Sequence, residues 1–407
     1  MMEPLSEGRA LGRRRWLRRL GGGLCLVAVS LALFKAKVGW FFPVVSGSME
    51  PTVETGEWVF LRYGTEPAER FDIVAFTDVG GGASIKRVIG LPGEVIALDP
   101  TGDVRIEGAP LRGDAARPPL TLVFDSSLQS IGEHWRHGGA YADPWSQVQG
   151  GETEAGSGEG PGEVWEMDGS AVARSASLGL LGLHGRIDDG GLRPDGSYRR
   201  GQQVVHDVSV SFEVEVLDGG WRLCVQLMEQ GDVFEVSIPI YEGEDEARID
   251  LFRRKAAPEP LEYFIYGRSE VPLREWLPVT FSNIDNLLRF QIGEFELEFD
   301  YDYRGNTLHP TAFDMSSISL GERVRLGGEG VVLQVRNIRV ERDFHVAARG
   351  EFGAGTPLQL GPDEVFVVGD ATAISRDSRE RGPVPRGRIF GRVEAAVWPL
   401  SRARWLR

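Results

Sequence analysis

Apolar and polar side chains alternate with a period of two along much of this chain, most cleanly in its middle. Val208, Val210, Phe212, Val214 and Val216 share one face of an extended segment, with Ser209, Ser211, Glu213 and Glu215 on the other. Phe234, Val236, Ile238 and Ile240 repeat the pattern, as do Phe295, Leu297, Phe299 and Tyr301. Val331, Leu333, Val335, then Ile338 and Val340 close the region. One face in and one face out, recurring at short spacing without helical periodicity, predicts an antiparallel β-sandwich over residues 113–348. On either side, residues 39–112 and 349–407 carry shorter and more continuously apolar runs. These predict strands at 58–61, 72–76, 85–89, 95–98, 364–368 and 389–397, separated by Gly and Pro. The expected fold is mainly β, with strand-rich segments in two pieces separated by an antiparallel β-sandwich.

The N-terminus breaks the pattern. Arg9, Arg13, Arg14, Arg15, Arg18 and Arg19 precede an apolar run over residues 20–34, flanked by Lys35 and Lys37. A basic flank before an apolar core is the layout of a signal peptide or an anchor. Lys35 and Lys37 can snorkel, letting residues 38–42 extend the apolar surface. Residues 1–19 therefore read as a basic cytoplasmic segment and 20–38 as a retained single-pass transmembrane helix, with the rest of the chain outside. Ala28 and Ser30 have the spacing of a cleavage site and keep a cleaved signal open.

Composition narrows the classes. A hydrophobic share of 42% and a charged share of 26% exclude a disordered chain and a multi-spanning membrane protein. A formal charge of −15 argues against nucleic-acid binding. Cys25 and Cys224 read as buried thiols, and the six His form no metal-binding spacing. Of the 45 basic residues only Lys35, Lys37, Lys86 and Lys255 are lysines. Guanidinium stays protonated at any ordinary pH, whereas a buried ammonium loses its proton readily. Each Lys in so Arg-biased a chain therefore invites a reason.

Ser46-Gly47-Ser48-Met49-Glu50-Pro51-Thr52 lies just beyond the expected membrane surface. A serine is a weak nucleophile until a neighbour takes its proton, and no GxSxG elbow is present to pair one with His. Ile85-Lys86-Arg87-Val88-Ile89-Gly90-Leu91-Pro92-Gly93-Glu94 places Lys86 in an apolar strand, where desolvation makes an amine a general base. Gly369-Asp370 and Ser375-Arg376-Asp377-Ser378-Arg379 follow near the C-terminus.

In that order these blocks resemble the bacterial type I signal peptidases, membrane-anchored Ser-Lys endopeptidases. The resemblance implies that Ser48 is the nucleophile and Lys86 the general base. It implies that the Ser46 hydroxyl, with the Ser48 N–H, forms the oxyanion hole, and that Ser375 orients the lysine. Asp370, Asp377 and Arg379 are implied as supporting residues, and Phe42 and Val44 as lining small-residue substrate pockets. Two departures stand out. Phe71 in Arg70-Phe71-Asp72-Ile73-Val74-Ala75-Phe76 replaces the family's Gly, and Ala371, Thr372, Ala373 and Ile374 replace polar residues of the last motif.

The implied substrates are exported preproteins cut after a small-x-small sequence, and the implied location is a bacterial inner membrane, with the catalytic core on the outer side. No cofactor is implied. The inserted middle region resembles concanavalin A-like or laminin G-like jelly-roll domains at Trp276-Leu277-Pro278-Val279 and Val335-Arg336-Asn337-Ile338-Arg339-Val340. Such domains often bind sugars, sometimes with calcium, and Trp135, Trp145 or Trp165, if exposed, would stack on a glycan. The alternative reading is a catalytically impaired peptidase scaffold presenting the sandwich to a glycan or envelope partner. A self-cleaving Ser-Lys protease of the repressor type fits poorly, because no DNA-binding segment is present.

Overall fold

The computed structural model describes residues 38–64, 67–100, 102–111, 120–137, 145–148, 163–168, 179–193, 195–218, 220–229, 232–240, 248–254, 258–265, 271–300 and 322–406. The expected anchor, Cys25, Lys35, Lys37, Lys255, Tyr301 and most of the acidic loop after residue 149 lie outside the described residues. Among the described residues no helix is long and apolar enough to cross a membrane. The fold is mainly β and divides into two compact units. One comprises Met1–Glu94, Gln359–Gly369 and Arg376–Arg407, the other Val95–Leu358 and Asp370–Ser375. The division falls at 94/95 and 358/359, whereas the sequence pattern places it at 112/113 and 348/349. The reason is local pairing. Val95–Leu98, Val104–Ile106 and Ala109–Pro110 form their own antiparallel meander, and Leu98 bridges to Ala354.

The first unit is built on a sheet of order Gly39–Pro43, Trp58–Tyr63, Ile389–Trp398, Ile73–Thr77, Ala83–Gly90, Glu364–Val368, Val384–Pro385. Arg404–Trp405 adds to Ile389–Trp398. The continuous apolar run at Ile73–Thr77 follows from burial on both faces. Ile73 and Ala75 pack with Val44, Met49, Val53, Val59 and Leu61 on one side. Val74 and Phe76 pack with Val88, Val365 and Val367 on the other. Phe71, where the resembled family has Gly, has φ 71°, in the left-handed region. Its N–H donates to Val88 O at 2.7 Å and its carbonyl accepts Arg87 Nη1 at 3.0 Å, so pairing on both sides holds this conformation.

In the second unit two antiparallel sheets enclose one core. The first sheet runs Trp145–Gln147, Trp165–Asp168, Val332–Arg342, Val208–Asp218, Trp276–Ile284, Leu287–Ile292, Phe295–Asp300, with Thr121–Asp125 also paired to Val332–Arg342. The second runs Pro258–Ile265, Arg248–Arg254, Asp232–Pro239, Arg222–Glu229, Glu322–Glu329, Gly179–His184, Trp135–His137. The five apolar residues from Val208 to Val216 all point into the shared core, with Phe234, Val236 and Ile238 from the facing sheet. The phase break between Val335 and Ile338 is a β-bulge: Ser211 pairs with Arg339, whereas Glu213 pairs with Arg336. Asn337 takes φ 54° there, so Val335 and Ile338 both face inward despite their odd spacing. Trp135 and Trp145 are buried in this core, which removes them as glycan-stacking platforms, and Trp165 packs against it. Cys224 is a buried thiol, its pKa pushed up to about 12 by burial first and then by Glu235.

At the start of Val208–Asp218 the unit concentrates negative charge. Asp103, Asp207 and Asp285 bring one carboxylate oxygen each to within 4.8 Å of one another. Burial raises the Asp207 carboxyl well above its ordinary value, and Asp103, Glu229, Asp285 and Asp343 raise it further.

Two predictions follow from this architecture. Gly at position 71 relieves about 1–2 kcal/mol of left-handed strain and returns part of it as unfolded-chain entropy. Thermal unfolding of Phe71→Gly is therefore expected at or above the wild-type midpoint, and of Phe71→Val clearly below that of the Gly variant. Because the folded Asp207 carboxyl titrates above its unfolded value of 3.8, the fold binds an extra proton between the two values. Its contribution to stability is therefore lost as pH rises through that window. The stability advantage of Asp207→Asn over wild type should grow as pH is raised from about 4 toward neutrality, read from denaturant midpoints; an advantage independent of pH contradicts this assignment.

Candidate active site

Ser48 sits in the short 3-10 turn Gly47–Met49, entered through an extended Ser46. Two things pin the turn from inside: Met49 and Val53 are fully buried, and Val53 N–H donates to Met49 O at 2.9 Å. The ends of the loop are pinched together by Val44 N–H to Glu57 O and Gly56 N–H to Val44 O, each 2.8 Å. Glu50 folds back so that Oε1 accepts the Thr55 N–H at 3.0 Å and the Thr55 hydroxyl at 2.8 Å. A Cβ on Gly47 would stand 2.9 Å from that carboxylate, which gives the glycine a steric reason.

Lys86 lies inside Ala83–Gly90, opposite Val74 of Ile73–Thr77, and is 5% exposed. Its Nζ is 2.6 Å from Ser48 Oγ and donates to Ile85 O at 2.9 Å. Ser46 Oγ lies 3.4 Å from Ser48 Oγ. The structure thus brings Ser46, Ser48 and Lys86 into one cluster on a buried strand and a pinned loop. A serine hydroxyl against a buried primary amine is an arrangement that can deliver a nucleophilic alkoxide.

Asp377 and Arg379 form a buried pair, with Nε to Oδ1 and Nη2 to Oδ2 both at 2.8 Å. The Asp377 carboxylate also accepts the Gly369 N–H at 3.0 Å and caps the helix Ser378–Arg381. This ties the two ends of the last motif together within the first unit. Asp370 and Ser375 fall in the second unit. Asp370 is buried and acts on Arg342, whose pKa burial lowers while Tyr198, Asp189, Asp370 and Asp343 raise it. Ser375 is fully buried, and its Oγ makes no hydrogen bond. Where the polar residues of the motif are replaced, Arg349 takes hold of the backbone instead. Its Nε donates to Thr372 O at 3.0 Å and its Nη2 donates to Ser375 O.

Phe42 is half-buried and meets Tyr63 edge-on with centroids 6.5 Å apart, while the Val44 side chain belongs to the core under the Ser48 loop. Sequence reading overlooks several residues that hold this site. Arg87 donates to Phe71 O at 3.0 Å and to Thr52 Oγ1 at 3.4 Å. Glu57 is 2% exposed and receives both nitrogens of the Arg404 fork at 2.9 Å. Partners 347 residues apart leave no local spacing to find.

Comparison with known proteins points toward one family. Residues 13–128 and 325–398 match the model of the family described as "Signal peptidase, peptidase S26". A curated relative, the mitochondrial ATP-independent inner membrane protease subunit 1b of Arabidopsis thaliana, is 66% identical over 37 residues. That match covers 9% of this chain, and the chain spans 22% of the relative's length. Together they support a signal-peptidase-type family over those stretches. Among solved structures, galectin LEC-6 of Caenorhabditis elegans matches at 7% identity and TM-score 0.25, over 40% of this chain and 90% of its own. The CBM2 module of the Lactobacillus casei BL23 phage J-1 evolved Dit matches at 11% identity and TM-score 0.30, over 55% of this chain and 96% of its own. At those scores neither bears on what this chain does.

Gly47→Ala is expected to dislodge the Glu50 carboxylate from Thr55 at a cost of about 1 kcal/mol, visible as a lower thermal midpoint. A midpoint equal to wild type would show that the turn has room the geometry denies it.

Proposed function

We propose that this chain is a protease of the signal-peptidase type, a membrane-anchored serine endopeptidase that removes signal peptides from exported preproteins. The observation that carries the reading is the 2.6 Å approach of Lys86 Nζ to Ser48 Oγ on a buried strand. In the proposed mechanism the neutral amine accepts the Ser48 proton as Oγ attacks the scissile carbonyl. The Ser48 N–H and the Ser46 hydroxyl donate to the developing oxyanion. The protonated amine then gives its proton to the leaving amine, and the acyl-enzyme is hydrolysed by water that Lys86 deprotonates in turn. Asp377 and Arg379 support the strand end, and Asp370 the loop that follows it; the Ser375 hydroxyl, which makes no hydrogen bond, is given no part.

Substrate and location are supported by the surface around the site. Among the described residues Gly39–Pro43 is an edge strand, paired on one side with Trp58–Tyr63, and it leads in sequence to Ser48. An extended peptide laid along such an edge gains main-chain hydrogen bonds, with Phe42 limiting side-chain size. Phe41, Val45, Trp58, Trp398, Leu400 and Trp405 are all exposed, Trp405 to 75%. Trp58 and Trp398 face one another across neighbouring strands. An apolar, Trp-rich surface of this kind suits the lipid interface, in keeping with family members that are membrane-associated. We read the basic N-terminal segment and residues 20–38 as the anchor of a bacterial inner-membrane enzyme, and residues 113–348 as an inserted sandwich. The Arg349 bonds to Thr372 and Ser375 anchor the altered motif by its backbone, which favours an active enzyme over a silent scaffold.

Cleavage of a preprotein with an Ala-x-Ala site should fall by about 10³-fold or more in Ser48→Ala, Lys86→Ala and Lys86→Arg. Arginine keeps the charge and the reach but cannot act as a base. Near-normal turnover by Lys86→Arg would sink the dyad.

A further inference from the structure

We propose that Arg404 is a positioning residue for the nucleophile: its guanidinium clamps the Ser48 loop to the central sheet and so sets the distance between Ser48 and Lys86. This rests on the Ser-Lys reading and extends it to a residue that touches neither reacting atom.

Arg404 belongs to the two-residue strand Arg404–Trp405, held by pairing of Ala396 with Arg404 and Ala395 with Trp405. From there its fork reaches the loop at two kinds of acceptor. Nη1 meets Glu57 Oε1 and Nη2 meets Glu57 Oε2, both at 2.9 Å, and Nη2 also donates to Thr52 O at 2.5 Å. Glu57 passes the constraint on, because Oε2 accepts the Glu54 N–H at 2.9 Å and its carbonyl accepts the Val44 N–H. Two neighbours reinforce the same tail. Arg402 Nη1 donates to Glu54 Oε2 at 2.7 Å, and Leu406 packs against the core that holds Met49 and Val53. Thr52 is four residues beyond Ser48, and its hydroxyl lies 3.4 Å from Arg87 Nη2, next in sequence to Lys86. The clamp therefore ends where the loop meets the strand that carries the amine.

Only a planar fork can serve both carboxylate oxygens and a carbonyl together; a lysine reaches one acceptor at a time. Composition does not supply this argument, since the chain writes nearly every basic position as Arg. The bond pattern does. A displacement of about 1 Å between reacting groups costs roughly 10²-fold in rate, so a loose loop is expected to lose turnover rather than affinity.

The test uses the full chain in detergent with an Ala-x-Ala preprotein as probe. Arg404→Ala should lower kcat by about 10²-fold with KM unchanged, added guanidinium ion should restore part of the loss, and Arg404→Lys should fall between. Removing Arg404 strands a buried carboxylate, which invites unfolding. Arg404→Ala combined with Glu57→Gln removes that charge; it should regain the wild-type thermal midpoint and keep the low kcat. A double variant that folds with wild-type kcat overturns the clamp, as does a loss confined to KM, or a loss that guanidinium fails to relieve in a folded Arg404→Ala. If wild type itself shows no Ser48-dependent cleavage, the Ser-Lys reading fails and the clamp fails with it. If wild type cleaves and the variants match it, the clamp alone is wrong.

Discussion

The contact between the Lys86 amine and the Ser48 hydroxyl, 2.6 Å across, is the constraint around which the first unit is arranged. An amine can take a proton from serine only while it is itself unprotonated, and water holds an ammonium charged. In the proposed dyad the amine is therefore withdrawn from water, and the serine is brought to it from a partly exposed loop. The structure withdraws Lys86 by placing it in the interior of a sheet, between Ile73–Thr77 and Glu364–Val368. It brings Ser48 by a loop pinned through Met49 and Val53 into the core under that sheet.

The division of labour between basic residues follows from the same chemistry. Where the chain needs a permanent, forked cation to hold carbonyls or carboxylates, it uses arginine. Arg87 holds Phe71 and Thr52, Arg349 holds Thr372 and Ser375, Arg379 holds Asp377, and Arg404 holds Glu57 and Thr52. A guanidinium presents its donors in a fixed planar fork, so one side chain can hold two acceptors at once. Lys86, the lysine among the described residues, brings an amine against the Ser48 hydroxyl instead. The sharply skewed Arg-to-Lys ratio thus acquires a structural meaning, since the fork and the amine do different work.

Much of the architecture was legible in the sequence because a strand's side-chain period is local. The runs at Val95–Leu98 and Glu364–Val368 were readable to the residue, and the inward set from Val208 to Val216 follows directly from alternation. Alternation failed in instructive places. Glu235 and Ser237 lie on the outward face of Asp232–Pro239 yet are buried, because Arg222 and Gln226 bond to them there. The odd step between Val335 and Ile338 needed a bulge at Asn337 to keep both inside. Trp135 and Trp145, which the sequence left open between a core place and a surface one, fill the core between the sheets. The boundary near residue 95 was hidden because the meander that starts there has the same apolar texture as the strands before it.

The sequence by itself determined the mainly β class, many of the strands and the order of the motifs, and it singled out Ser48 and Lys86 as the proposed nucleophile and base. Those properties depend on side-chain type and on spacing within a few residues. Tertiary structure alone decided that the Ser48 loop and the Lys86 strand meet, that Phe71 takes a left-handed backbone, and that Glu57 is closed by an arginine near the far end of the chain. Sheet pairing joins segments by hydrogen bonds whose donors and acceptors are the same in every residue. Which segments pair, and at what register, is therefore settled by how whole faces pack, and short-range spacing carries no trace of it.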